Sequence, residues 1–359
     1  MKQVSIILVN YNWKAFNHAC LDSILSQSYK QYEILFIDNN STDWSLDDVK
    51  KSYIQEINNG TIRIIENDKN LGFSWANNQW HLAASGEYIW LLNNDTILNH
   101  NTLEKMIVAI ESDEKLWWVS CCILDAWFEQ QIRAMYEGWK VIISNYFGDS
   151  VLVRVPDSEK KTWLYYTSVL SGCSFLYKKD IVPHPFPESY FAYWEDVWLS
   201  WYLLTQWYRL WIATDAKLNH LWSWSFGKKP TIFKVFHGTK NQWMNFLTFF
   251  TWPVIILLLP MFVLVQLAQT FISNPWIRIQ WKRKSIIWLI RNRAIVEAQR
   301  SFVQNAYKIP KKDLLRQLHY LFMDNIYFAK FSQGQMRVIR VLNVCFYGVI
   351  KIFGIPYRG

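Results

Sequence analysis

The chain has 359 residues, half of them hydrophobic, which allows one large domain with an appendage or two domains and excludes a disordered protein. Its net charge of +9 conceals a division: residues 1–226 carry 18 Lys and Arg against 26 Asp and Glu, whereas 227–359 carry 20 against 3. The basic part flanks a long apolar run, a pattern that favours an anionic membrane surface over nucleic acid.

In chain order, QVSIILV (3–9), YEILFID (32–38), TIRIIE (61–66) and YIWLLN (88–93) are apolar, β-branched-rich strands separated by segments of helical spacing near 14–27, 44–57 and 74–84. That alternation predicts βαβ units and a mostly parallel sheet. The first apolar stretch is too short for a signal peptide and reads as a buried strand, so a cytoplasmic location is expected. Ser41, Thr42 and Asp43 offer N-cap oxygens to the second helix.

A helix is expected near 101–112, then mixed strand and loop. SVLSGCSFLYKKD (168–180) reads as a further strand, PHPFPE (183–188) as a loop, and 195–207 as a helix; the first domain closes near 220–226. Residues 246–272 carry no charge, long enough to cross a bilayer. Pro253 and Pro260 interrupt them, and Lys and Arg flank both ends. A single span would carry one basic flank across the membrane, so a re-entrant or interfacial helix pair is expected, with a bent span as the alternative. Residues 338–354 read either as a second amphipathic membrane contact or as a core helix. The expected division is 1–226, 227–311 and 312–359. The five cysteines make no CxxC or Cys/His metal spacing and read as reduced structural thiols.

Ligand sites of such sheets lie beyond the carboxyl ends of the strands. Asn10, Asp38 and the Asn93-Asn94-Asp95 run fall there. Asp38 suits a hydrogen bond to a base or ribose, or a turn. Asn93-Asn94-Asp95 supplies one carboxylate and two amides, either an Asx-rich turn or part of a Mg²⁺ or Mn²⁺ site completed by phosphate oxygens and water. Glu195-Asp196 opens a helix after an aromatic loop; such carboxylates complement a helix dipole or take a proton from a hydroxyl. His220 is either a core histidine or a diphosphate or metal contact.

The segments LFIDNNSTD (35–43), NLGFSWANNQW (70–80), YIWLLNNDT (88–96) and AYWEDVWLSW (192–201) occur in the order and spacing of a nucleotide-sugar enzyme. The chain resembles inverting glycosyltransferases of the family 2 type with the GT-A fold, in the rhamnosyltransferase-like branch that builds bacterial surface polysaccharides. The resemblance covers 3–226, and the tail to about 316 more loosely. It implies an α/β Rossmann-like, mostly parallel sheet flanked by helices, with a C-terminal membrane-associated helical segment. It further implies Asp196 as catalytic base with Glu195 beside it, and Asp95 as the carboxylate that holds Mg²⁺ or Mn²⁺. Asn10, Asp38, Asn70, Asn93 and His220 would bind the donor. The implied partners are a nucleoside diphosphate sugar, a lipid-linked or polysaccharide acceptor and the membrane surface, at the cytoplasmic face of the plasma membrane, with no nucleic acid. A nucleotidyltransferase would need a glycine-rich N-terminal loop that VNYNWKAF does not provide. A non-catalytic sugar-binding or scaffold protein of similar fold is the competing class.

Tryptophan occurs 22 times and glycine 12 times, where average usage would give roughly 25 glycines. An aromatic sugar-binding surface is one reading. The other is that UGA codons, decoded as glycine in some bacterial lineages, stand here as Trp. Trp13, Trp44, Trp75, Trp80, Trp194 and Trp207 replace glycines that the resemblance calls for; Trp44, Trp75, Trp80 and Trp207 stand where the chain wants positive φ or close backbone approach. Trp90, inside a strand, reads as genuine.

Overall fold

The computed structural model describes residues 2–125, 140–144, 146–147, 150–154, 164–182, 184–221, 231–271, 275–319 and 333–357. The sheet begins with β1 (Val4–Asn10), β2 (Tyr32–Asp38), β3 (Ile62–Glu66) and β4 (Tyr88–Leu92), all parallel in the order β3-β2-β1-β4. Helices return the chain between them: α1 (Lys14–Leu25), then α2 (Ser45–Ser52) with α3 (Ile54–Asn58), then α4 (Phe73–Ala83). The single helix expected over 44–57 is thus two, parted at Tyr53. Strands buried on both faces read as continuous apolar runs, which is why β1, β2 and β4 were legible; β2 is buried from Glu33 to Asp38, whereas the edge strand β3 exposes Arg63 and Glu66 beside its isoleucines.

Past β4 the sheet is mixed, and the expectation of a mostly parallel sheet is corrected. The short β5 (Thr96–Leu98) and α5 (Thr102–Glu111) lead into β6 (Trp118–Asp125), a separate hairpin of β7 (Lys140–Ser144) and β8 (Ser150–Arg154), β9 (Leu164–Thr167) and β10 (Ser174–Lys178). β10 inserts antiparallel between β4 and β6. After α6 (Glu195–Thr205), β11 (Leu210–His220) runs parallel to β6 and antiparallel to β5 and β9. These strands are not joined in sequence by right-handed helical crossovers, so nothing forces a common direction. The expected strand over 168–180 is only β10, because Gly172 and Cys173 form a turn before it. The expected closure at 222–226, and the lysines at 228 and 229, lie outside the described residues.

The C-terminal part is helical: α7 (Ile232–Phe249), α8 (Trp252–Phe271), α9 (Pro275–Arg291), α10 (Arg293–Ala306), the short α11 (Lys311–Leu315) and α12 (Gln333–Ile352). One hydrophobic core runs from the strands into these helices; Trp201 of α6 stands edge-on to Phe249 of α7 with ring centroids 5.4 Å apart. The last carbonyls of α7, without intrahelical partners, are met by α10 and its exit. Gln304 Nε2 reaches those of Thr248 (2.8 Å) and Phe249 (3.0 Å), Arg300 that of Phe250 (2.8 Å), and the Tyr307 hydroxyl that of Phe249 (2.6 Å).

α8 is long and apolar enough to cross a membrane by length and composition. Its own burial is two-sided: Ile255, Leu258, Phe262, Val265, Gln266 and Thr270 are buried, while Trp252, Ile256, Leu259, Val263 and Leu267 are exposed. Pro260 falls on the exposed side. α12 is two-sided as well, with Phe346 and Ile350 packed in the core and Val341 and Val344 exposed.

Candidate active site

The carboxyl ends of β1, β2 and β4 carry a connected set of buried polar side chains. Asp38 Oδ1 accepts from Asn10 Nδ2 at 2.7 Å, and its Oδ2 from the backbone N–H of Ser41 at 2.9 Å. The Asn10 amide also reaches Ser45 Oγ (2.8 Å), while its oxygen accepts from Asn17 Nδ2 (3.0 Å); Asn17 Oδ1 in turn accepts from Asn94 Nδ2 (2.7 Å). A run of amides therefore joins Asp38 on β2 to Asn94, next to Asp95. Side chains satisfied in this way hold one orientation, and a buried network left half-made would be costly.

Asn70 lies off this run. Its oxygen accepts from Asn39 Nδ2 and from the N–H of Gly72, each at 2.9 Å, shaping the loop before α4. Gly72 has φ +84°, and a Cβ there would come within 2.6 Å of the Phe191 carbonyl oxygen. Of the three expected caps for α2 only Asp43 serves, its Oδ1 accepting from Ser45 N–H at 3.0 Å. Ser41 Oγ is taken instead by Asn10 and by the N–H of Asn12.

Asp95 and His220 meet at 3.2 Å (Oδ1 to Nε2), both buried, and Leu221 N–H donates to the Asp95 carbonyl at 2.8 Å. β11 ends beside β5 and so delivers the histidine. Asn93, half-buried, donates its backbone N–H to the Cys173 carbonyl at 2.9 Å. One residue earlier, Gly172 N–H donates to Asp196 Oδ2 at 3.1 Å; a Cβ on Gly172 would stand 3.3 Å from Asp196 Cβ. Cys173 borders both carboxylates. Burial first, then the charges of Asp95 and Asp196, push its thiol up to about 12.

Asp196 and Glu195 open α6. Burial raises the Asp196 carboxyl above its ordinary range, although the N–H groups of Gly172 and Val197 pull it back. Burial, and then the neighbouring Asp196 charge, push Glu195 up to about 8, and its Oε2 has no hydrogen-bond partner among the described residues. Burial and the adjacent charge both favour the protonated form of Glu195.

Among the described residues no three His, Cys, Asp or Glu side chains gather as a metal cluster. Asp95 and His220 could offer one carboxylate and one imidazole donor. They fit a hard divalent cation that takes most of its shell from phosphate oxygens and water. Asn94 Oδ1, buried and without a partner among the described residues, adds an acceptor at the same strand end.

Asn10, Asp38, Asn93, Asp95, Asp196 and His220 thus belong to one edge of the sheet, with Asn70 on its rim. Sequence reasoning missed Asn17, Gly172 and Cys173. Asn17 had a signal: it shares the apolar face of α1 with Cys20, Leu21 and Ile24, where a lone amide must find a partner.

The six suspect tryptophans divide. Trp44, Trp194 and Trp207 have φ of +64°, +68° and +72°. The expected positive φ is corrected at Trp75 and Trp80, which lie inside α4, where a regular helix fixes the backbone; Trp13 has φ −112°. Trp90 is fully buried and its indole N–H donates to Ser174 Oγ at 2.9 Å. By contrast, the buried indole nitrogens of Trp80, Trp118, Trp198 and Trp201 have no partner among the described residues.

A nine-stranded mixed sheet with carboxylates at its carboxyl edge defines a GT-A-like α/β fold. Residues 5–182 match Glycos_transf_2, glycosyl transferase family 2. An uncharacterized glycosyltransferase of Haemophilus influenzae is 27% identical over 203 residues, 54% of this chain and 59% of that protein. A UDP-Glc:alpha-D-GlcNAc-diphosphoundecaprenol beta-1,3-glucosyltransferase of Escherichia coli, WfgD, is 26% identical over 205 residues, 55% of this chain and 68% of that protein. Among solved structures, GalNAc-T7 with UDP, GalNAc and Mn²⁺ superposes with a TM-score of 0.59 at 15% identity, over 81% of this chain and 58% of the other. The mannosyltransferase PcManGT of Pyrobaculum calidifontis, in complex with GDP-Man and Mn²⁺, gives 0.52 at 14% identity, over 98% and 88%.

Proposed function

We propose that this protein is an inverting glycosyltransferase that moves a sugar, rhamnose-like by the motif resemblance, from a nucleoside diphosphate to a lipid-linked or polysaccharide acceptor in cell-surface glycan synthesis. The observation that carries this reading is the turn at Gly172 and Cys173, where Gly172 N–H donates to Asp196 Oδ2 and the Cys173 carbonyl accepts from Asn93 N–H, two residues before Asp95, at the edge where Asp38 also lies. Relatives that act on diphosphoundecaprenol-linked acceptors support the acceptor class.

In this reading Asp38, oriented by Asn10, accepts hydrogen bonds from the nucleoside. Asp196 removes the proton of the acceptor hydroxyl as that oxygen bonds to the anomeric carbon. The bond from that carbon to the diphosphate breaks, the electron pair leaves with the diphosphate, and configuration inverts. Protonated Glu195 keeps a second negative charge away from the base. Asp95 and His220 would hold Mg²⁺ or Mn²⁺, which supplies Lewis-acid stabilisation of the departing diphosphate.

We read the C-terminal part as a membrane contact at the cytoplasmic face, with 1–226 as the catalytic domain and 227–311 and 312–359 as its helical extensions. The exposed apolar side of α8 supports contact along the surface, because its other side is committed to the core. We also read Trp44, Trp194 and Trp207 as glycine positions. Positive φ supports this at all three, and the buried indole nitrogens of Trp80, Trp118, Trp198 and Trp201, without partners among the described residues, support a wider set.

The test is a donor panel: protein with Mg²⁺ or Mn²⁺, scored for nucleoside diphosphate release from each of several sugar nucleotides in the presence of diphosphoundecaprenol-linked sugar. Release from one donor, abolished by chelator, establishes the reaction. Folded protein that binds donors and releases nothing favours the non-catalytic sugar-binding reading.

A further inference from the structure

The loop that carries the carboxylate pair is held almost entirely from outside the catalytic sheet. Residues 189–194 contain two consecutive left-handed residues, Tyr193 (φ +69°) and Trp194 (φ +68°). At Tyr193, which carries a side chain whichever residue occupies 194, such a conformation persists only where the surroundings over-determine it. Here five of the loop's six backbone oxygens accept a hydrogen bond. That of Ser189 accepts from Lys240 Nζ at 2.6 Å, and that of Phe191 from Phe73 N–H at 2.7 Å. Those of Ala192 (3.0 Å) and Tyr193 (2.7 Å) both accept from Asn241 Nδ2, and that of Trp194 from Asn245 Nδ2 at 3.2 Å.

Lys240, Asn241 and Asn245 sit on α7, and all are buried. Their own positions are fixed in turn. Asn245 Oδ1 accepts from the Tyr190 hydroxyl at 2.7 Å, which receives Gln299 Nε2 of α10 at 3.3 Å; the Lys240 ammonium lies 4.5 Å from the centroid of the Trp288 ring of α9. Burying an ammonium and two amides on one helix is expensive unless each is paired, and the pairing here is to five residues of a single loop. Asn241 spends both amide hydrogens on consecutive carbonyls of that loop.

We propose that Asn241, with Asn245 as its second point, is a positioning residue that sets the direction from which Asp196 enters the site. This rests on the reading of Asp196 as the base. Lost donors would free the 192–194 carbonyls, relax the two left-handed residues and turn the first turn of α6. A shift of about 1 Å at a reacting group costs on the order of 100-fold in rate, without touching the donor contacts at Asp38 and Asp95.

The variants are Asn241→Ala, which removes both donors, and Asn241→Asp, which keeps the volume but sets oxygens against the carbonyls. Asn245→Ala and Tyr190→Phe act at the second point, Tyr190→Phe by deleting one hydroxyl. Amide hydrogen exchange across 190–198 is the first readout and does not depend on turnover. Exchange there should rise at least tenfold in Asn241→Ala while β1, β2 and β4 stay protected. Steady-state kinetics is the second: kcat should fall about 10- to 100-fold, donor KM should stay within about twofold, and the pH dependence of kcat should shift. Asn245→Ala should do the same more weakly. Unchanged exchange over 190–198, or kcat and pH profile like those of wild type in Asn241→Ala, overturns the proposal. If Asn241→Ala does not fold, Tyr190→Phe decides by the same two readouts. Altered exchange in a protein whose wild type releases no nucleoside diphosphate would uphold the clamp and remove the glycosyltransferase reading instead.

Discussion

Replacing Trp44 with glycine should stabilise the protein, against the usual direction of a large-to-small change. Trp44 has φ +64° at the entry to α2, and its side chain is 73% exposed, so little packing is lost with the ring. A left-handed conformation costs an L-residue roughly 1–2 kcal/mol, and glycine gives back about 0.5–1 kcal/mol of this in unfolded-state entropy. The balance is a gain of about 0.5–1 kcal/mol. The control is Trp44→Ala, which deletes the ring but keeps Cβ, so it should gain nothing. At an ordinary position glycine is less stable than alanine by about 0.4–1 kcal/mol; at 44 the order should invert. Urea denaturation gives the midpoints, with unchanged slopes required before they are compared. Trp90→Gly is the opposite case: the ring is fully buried with its N–H paired, and its loss should cost at least about 3–5 kcal/mol. A Trp44→Gly variant less stable than Trp44→Ala would refute the reasoning from backbone geometry, and with it the strongest structural support for glycine at that position.

Asp196→Asn should reduce nucleoside diphosphate release by at least about 100-fold while leaving donor affinity, measured by calorimetry, nearly unchanged. Glu195 is protonated in the folded protein up to about pH 8 and ionises near 4.5 once unfolded. Between those values the native state binds more protons, so stability falls as pH rises. Urea midpoints at pH 5, 6.5 and 8 should therefore decline in wild type relative to Glu195→Gln, in which that dependence is absent. Asp95→Ala should raise the Mn²⁺ concentration needed for half-maximal activity at least tenfold, read from a metal titration, with His220→Ala smaller in the same direction. In flotation with vesicles, the protein should bind anionic more than neutral lipid, and Ile256→Asp with Val263→Asp, both on the exposed side of α8, should release it.

The first half of the fold was legible because β1, β2 and β4 are buried on both faces and helices return the chain between strands; β1, β2, β3 and β4 fall within a residue or two of the apolar runs at 3–9, 32–38, 61–66 and 88–93. Local pattern carries no strand direction. β10 could be found as an apolar run, but its antiparallel place between β4 and β6 follows from long-range pairing. The same limit governed the site. Asp38, Asp95 and Asp196 could be named from strand ends and a helix start, whereas Gly172, which approaches Asp196 only because β10 lies beside β4, has no sequence signal of its own. Trp75 and Trp80 show the converse failure: turn-like neighbours suggested special backbone angles, and helix geometry overrode them.

The polar residues buried in α7 change what the basic C-terminal part is for. Composition presents residues 227–359 as a tail with apolar and cationic character, which explains contact with lipid and nothing more. Yet Lys240, Asn241 and Asn245 are directed at the loop ahead of Asp196, and Gln266 of α8 donates to Gln242 of α7 at 2.6 Å from the buried side of the same helix whose other side is exposed and apolar. Lys282 of α9 closes this set on Gln266 Oε1 at 2.9 Å. The exposed face of α8 and the direction of Asp196 are therefore two ends of one packed assembly. Packed interiors transmit displacement instead of absorbing it. Gln266→Leu, which cuts the polar link between α8 and α7 while leaving the Phe246–Phe262 ring contact, should leave vesicle binding intact and lower the increment in kcat gained on adding vesicles. Equal stimulation of the variant and wild type by vesicles would show that the helices only bring the enzyme to its acceptor.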